Sequence, residues 1–285
     1  MREILGLVGR VVRAERVGRI GIVVALALLV GCSSEGHPAT STPPSTASTA
    51  STAVANPELN ERCPNQTDGI SAVPFTFAAA DGTKLVGLEL GRGSRGVVMV
   101  HELGGAGLCG WLPYGRYLAG AGMHVLLYDT RCTGASTCPT GDAASDLVSD
   151  VAGAKAELGR RGARGVAIVG ASYGGAIALT AAVAVKGLRA CVVLSGDLWD
   201  NNLGGLTGTQ AAPRVAVPVL YAVARDDGDR LATARRIVAK IKPALVTLRV
   251  LDGPAHGWNL LQRNDTEAFT PLAAQVLGFL EANLR

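Results

Sequence analysis

The sequence lacks a large surplus of charge of either sign, a hydrophobic run long enough to cross a membrane, any CxxC pair and any cluster of histidines. The first absence counts against nucleic acid as a partner. Against 27 Lys and Arg stand 23 Asp and Glu, and the excess nearly vanishes once the five arginines and two glutamates before Cys32 are set aside. The longest apolar run near the start, Ile20 to Val30, is too short for a comfortable span. Without CxxC or grouped histidines there is no metal-binding pattern, so no metal or other cofactor is expected.

What is present at the start is a targeting pattern. Arg2, Arg10, Arg13, Arg16 and Arg19 precede the apolar run, which has the length of a secretory h-region. The residues Leu29-Val30-Gly31-Cys32 resemble the lipobox of bacterial lipoproteins, which implies a leader over 1–31 and a diacylated Cys32. Two acyl chains hold a protein at a membrane where one does not. From there to Pro57 the chain is almost wholly Ser, Thr, Ala and Pro, a composition that cannot bury enough apolar surface to order itself. The expectation is an exported protein tethered by residues 32–57 to the outer face of the cell membrane, with one domain over 58–285.

Of the six cysteines, Cys32 is assigned to lipid, and Cys191 falls in an apolar run of buried-strand type. The remaining four allow three pairings. Cys132 with Cys138 closes a short loop, and Cys63 with Cys109 ties the start of the domain to an early loop; this pair of bridges is favoured for an oxidising compartment.

Within the domain, Val-rich runs of strand length alternate with helix-like segments, the pattern of a parallel sheet covered on both faces. The expected strands are Val97 to Val100, Val125 to Tyr128, Val166 to Val169, Cys191 to Leu194, Val217 to Val223 and Val246 to Leu251. Helices are expected over Leu112 to Ala121, Asp142 to Leu158, Tyr173 to Lys186, Arg230 to Lys240 and Thr266 to Leu284. Phe75 to Leu90, interrupted by Asp81-Gly82, reads as an antiparallel hairpin at one edge, which brings the count to eight strands. In such sheets the ligand sits beyond the carboxyl ends of the strands.

After the strand ending at Val169 comes Gly170-Ala171-Ser172-Tyr173-Gly174, and then a helix. The GxSxG pattern is common by chance. Between a buried strand and a helix it marks a sharp turn that projects a serine hydroxyl above the sheet. Such a hydroxyl needs a base, and the sequence has four histidines. His37 lies in the tether and His124 opens a strand. His256 lies in the loop between the last strand and the last helix and is the expected base. Its acid partner is sought after the strand ending at Val223, where Asp226, Asp227 and Asp229 crowd together; Asp227 is first choice and Asp197 an outside candidate. Two backbone donors should hold an oxyanion. One is Tyr173, the other Leu103 with Glu102 as alternative, in the run His101 to Gly107. That run lacks the lysine and spacing of a phosphate loop.

At this point the chain resembles the α/β-hydrolase superfamily over nearly all of Phe75 to Leu284. The order Ser172, Asp227, His256 matches that family's order. Residues 129–136, DTRCTGAS, are similar to a D-x-R-G-x-G-x-S segment, with cysteine at the first glycine. Glu102 departs from the family, which often has glycine directly after the histidine. The resemblance implies an eight-stranded, mostly parallel sheet with helices on both faces, similar in size to dienelactone hydrolases and without a large cap. It also implies an esterase-like serine hydrolase, whose substrate would meet His101, Glu102 and the apolar walls Trp199, Trp111 and Trp258. A peptidase or amidase on the same fold, and a non-catalytic surface lipoprotein binding a ligand or partner, are the alternatives.

Overall fold

The computed structural model describes residues 57–64, 66, 72–104, 106–196, 206–262 and 268–285. The leader, Cys32, the tether up to residue 56, Asp197 and Trp199 lie outside the described residues. Among the described residues no helix is long and apolar enough to cross a membrane.

Eight strands form one sheet: β1 (Phe75–Ala78), β2 (Lys84–Leu90), β3 (Arg95–Val100), β4 (His124–Tyr128), β5 (Gly165–Ala171), β6 (Leu188–Leu194), β7 (Val219–Ala224) and β8 (Val246–Leu251). Their spatial order is β1-β2-β4-β3-β5-β6-β7-β8. The pairings of β2 with β1 and with β4 are antiparallel and all others are parallel. The expected edge hairpin is therefore present, turning at Gly82, whose φ of +88° suits glycine.

The central strands have no polar face because both faces are covered. Val98 and Val100 point into a core shared with Val151 of α3 (Leu147–Arg160), Ile177 of α4 (Tyr173–Ala184) and Ile237 of α6 (Arg230–Val238). Val97 and Met99 point the other way, towards Leu59 of α1 (Pro57–Arg62), Leu118 of α2 (Leu112–Gly120) and Leu280 of α7 (Pro271–Asn283). A single-turn helix, α5 (Gly208–Ala211), precedes β7. Burying apolar area on both faces, at roughly 25 cal/mol per Å², is what drives this layering. The β8 strand differs from expectation: its residues are half-buried or exposed. Among the described residues it is the far edge strand of the sheet.

Helix limits also depart from the sequence reading. The segment expected to be helical from Asp142 opens as a 3-10 turn, and α3 starts only at Leu147, where the Asp146 carboxylate accepts the Ser149 N–H at 3.2 Å. The last helix begins at Pro271 rather than at residue 266, because Gln262 and Phe269 first pair as an isolated β-bridge.

Two disulfides tie the loops above the sheet, Cys63 to Cys109 and Cys132 to Cys138, and Cys191 is free and buried. Next in sequence to the second stands a buried ion pair. Arg131 donates through Nε to Asp150 at 2.8 Å and through Nη1 to Asp81 at 2.9 Å, joining the loop after β4 to α3 and to the hairpin turn.

Candidate active site

The carboxyl ends of β3, β5, β7 and β8 bring the sequence-selected residues Ser172, His256, Asp227, Tyr173, Leu103 and Glu102 to one end of the sheet. Ser172 sits between β5 and α4 with φ +50° and ψ −116°, a conformation costly for a residue with a Cβ. Surrounding close packing holds it there. A Cβ on Gly170 would lie 2.0 Å from the Gly174 carbonyl oxygen, and one on Gly174 would lie 2.3 Å from that of Val100. The Ser172 N–H also donates to the Leu194 oxygen at 2.8 Å. Small residues on both sides of the serine are thus a packing requirement.

Ser172 Oγ is 2.8 Å from His256 Nε2. His256 Nδ1 is 2.9 Å from both carboxylate oxygens of Asp227. An ionised carboxylate only accepts, so Nδ1 carries the hydrogen and Nε2 is left to accept the serine proton. The Asp227 side chain is 11% exposed and that of His256 34%, so the imidazole stays open to a ligand while its partner is shielded. Of the neighbouring acids, Asp226 gives its backbone N–H to the Gly253 oxygen at 3.0 Å, and the Asp229 side chain is 81% exposed. These two residues shape the loop, and Asp227 alone of the three has a hydrogen bond to His256.

The α4 helix begins at Tyr173, so its first N–H groups and dipole converge on the space beside Ser172. Burial pushes the Tyr173 hydroxyl pKa up. Leu103 stands in the loop after β3 and is 63% exposed. Glu102 is half-buried there; burial raises its carboxyl pKa, against a lowering by the Trp258 N–H and by His256.

Two of the residues expected to meet the substrate are buried. His101 is 3% exposed and both its ring nitrogens are engaged. Nδ1 donates to the Glu102 oxygen at 2.7 Å and Nε2 accepts the Thr130 N–H at 3.1 Å. Burial lowers its pKa, so the ring is a neutral brace between two loops. Trp111 was a candidate wall, but it is fully buried in the core. Its ring meets that of Trp258 edge-on at a centroid distance of 5.8 Å, and Trp258, half-buried in the turn after His256, remains beside the site.

Other supports were not apparent in the sequence. Asp129 accepts the Leu108 N–H at 3.0 Å and the Ala135 N–H at 3.1 Å and pairs with Arg62, holding the loops after β3 and β4 together. Its place in the DTRCTGAS segment was the only signal. Among the described residues no three His, Cys, Asp or Glu side chains are grouped so as to hold a metal ion.

A family model described as the Alpha/beta hydrolase family matches residues 97–282. No curated protein sequence matches the chain. Among solved structures, the Pyrococcus furiosus esterase Pf2001 superposes with a TM-score of 0.61 at 17% identity, covering 75% of this chain and 91% of that one. A serine hydrolase involved in carbazole degradation gives 0.59 at 18%, covering 74% and 99%. A meta-cleavage product hydrolase from Pseudomonas fluorescens IP01 gives 0.60 at 16%, covering 73% and 98%. At such identities the likeness is one of fold.

Proposed function

Since this chain belongs to the alpha/beta hydrolase family, which the match over residues 97–282 establishes, we propose that it is a serine hydrolase cleaving carboxylic esters or related acyl bonds. The observation that carries this reading is the unbroken hydrogen-bond chain Ser172–His256–Asp227, set on a strained turn at a helix N-terminus. Ser172 Oγ attacks the carbonyl carbon as its proton passes to His256 Nε2. Asp227 holds the imidazole in the tautomer that can accept that proton and faces the imidazolium that results. The backbone N–H groups of Tyr173 and Leu103 are proposed as donors to the oxyanion. The imidazolium protonates the departing alcohol, and water, activated by the same histidine, then releases the acyl group from Ser172.

The segment 195–218 between β6 and β7 is too short for a large helical lid, which favours short acyl groups, or acyl groups displayed on larger molecules. Trp258, with Trp199 beyond the described residues, is proposed as an apolar wall of the cleft. The arginine-led apolar run and the residues before Cys32 support export and lipid anchoring at the outer face of the cell membrane, and the two disulfides suit that oxidising location.

Hydrolysis of p-nitrophenyl esters of graded chain length tests the reading. Turnover is expected with acetate and butyrate and should be abolished in Ser172→Ala. A folded wild-type protein that turns over none of the esters would favour the ligand-binding alternative, and strong preference for long chains would contradict the open cleft.

A further inference from the structure

Glu102 is an acid lodged in a site that already has one. It follows the buried brace His101, whose Nδ1–H fixes the Glu102 backbone carbonyl. From there the side chain reaches across to the loop after β8. Its Oε2 accepts the Trp258 N–H at 3.4 Å. Oε2 also fills the space where Gly257 would carry a side chain, since a Cβ at that position would lie 1.8 Å from it. Gly257 adopts φ +56° as well, so both its backbone and its surroundings call for glycine. Gly257 and Trp258 are the two residues that follow His256.

We infer that Glu102 is a positioning residue of this site: its carboxylate clasps the histidine loop at Gly257 and Trp258 and sets a second negative charge near His256, alongside that of Asp227. This rests on the serine-hydrolase reading above. The two acids divide the work by geometry. Asp227, from the loop after β7, bonds to Nδ1 and orients the ring. Glu102, from the loop after β3, bonds to the main chain beyond the ring and acts on the imidazole through space. Burial opposes the ionised form of Glu102 and the Trp258 N–H favours it; of the charged groups facing it, His256 favours that form and Asp227 opposes it. From the turn after β5, Ser172 brings only a hydroxyl. When His256 takes the serine proton, both carboxylates face a cation, and the imidazolium is favoured. The sign follows: Glu102→Gln removes one of the two negative charges that face the imidazolium, so the acid limb of the rate profile moves to lower pH.

The test is the pH dependence of kcat/KM for an uncharged aryl ester, using the full chain. Glu102→Gln keeps the length and an acceptor for the Trp258 N–H but drops the charge; its acid limb should move down by roughly half a pH unit or more. Glu102→Ala removes clasp and charge together and should show the same displacement with a plateau kcat lower by roughly tenfold. Thermal unfolding checks both variants, and either one that folds carries the comparison. An acid limb that stays at the wild-type position, even with a reduced plateau, overturns the inference. Fluorophosphonate labelling of the wild type separates the two levels. No adduct at Ser172 means that the serine-hydrolase reading has failed, whereas an adduct with an unmoved limb overturns only the role of Glu102.

Discussion

The indole of Trp258 lies directly on Gly110: a Cβ built at Gly110 would sit 2.2 Å from Trp258 Cη2. The glycine therefore sets the position of the turn that follows His256. Gly110→Ala should push that turn outward and lower kcat/KM by roughly tenfold or more, because small displacements of a catalytic group are costly. Gly120→Ala is the matched control. No atom lies within 4 Å of a Cβ there, and it should leave activity alone. Steady-state kinetics on the two variants make the comparison.

Asp227 is distinguished from its neighbours by one hydrogen bond, and the difference should be large. Asp227→Asn leaves an amide facing Nδ1 and allows the wrong tautomer, so kcat should fall by roughly 10²–10⁴. Asp226→Asn and Asp229→Asn should stay within roughly threefold of wild type, a separation of at least about 2 kcal/mol in transition-state stabilisation. Parallel kinetics on the three asparagine variants check this. Equal losses in all three would mean that the loop as a whole matters rather than Asp227.

The buried pair of Arg131 and Asp150, both side chains fully inaccessible, should dominate stability. Asp150→Ala takes from the buried Arg131 guanidinium its buried carboxylate partner, leaving only the partly exposed Asp81, and should cost about 3–5 kcal/mol in urea unfolding. Asp81, the second partner of Arg131, is 30% exposed and should matter less. It carries a pH signature instead. Burial pushes its carboxyl up, but hydrogen bonds from Arg131 and Thr83 outweigh this and hold it at about 2. That lies below the roughly 3.9 of an unfolded chain, so its stabilisation is complete above about pH 4 and lost as pH falls towards 2. The stability gap between wild type and Asp81→Asn should close across that window.

The two disulfides should be unequal. Cys63–Cys109 spans 46 residues and Cys132–Cys138 spans 6. If each acts by restricting the unfolded chain, loop-closure entropy gives about 4 kcal/mol for the first and about 2 for the second. Paired Cys→Ser variants in denaturant melts should reproduce that order, and the reverse order would point to enthalpic effects in the folded state.

Much of the fold and of the site is legible in the sequence. The strand Val246 to Leu251 and the start of α4 at Tyr173 follow from apolar runs and the glycine-flanked serine, and His256 followed from its place between the last strand and the last helix. What was not legible depends on direction across loops. His101 and Glu102 are adjacent in sequence, yet one turns into the core and the other towards the histidine loop, and no periodicity governs a loop. Trp111 and Trp258 look alike as exposed candidates until packing puts one beneath the other. Likewise, β8 reads as a buried strand because its composition does not reveal that it is the sheet's edge.

The central claim, that Ser172 is a nucleophile activated by His256, is tested most directly by mass spectrometry after treating the full chain with a fluorophosphonate. The account predicts one adduct on the peptide containing Ser172, absent in Ser172→Ala and strongly slowed in His256→Ala. A folded wild-type protein that remains unmodified, or that is modified at another residue, would contradict it.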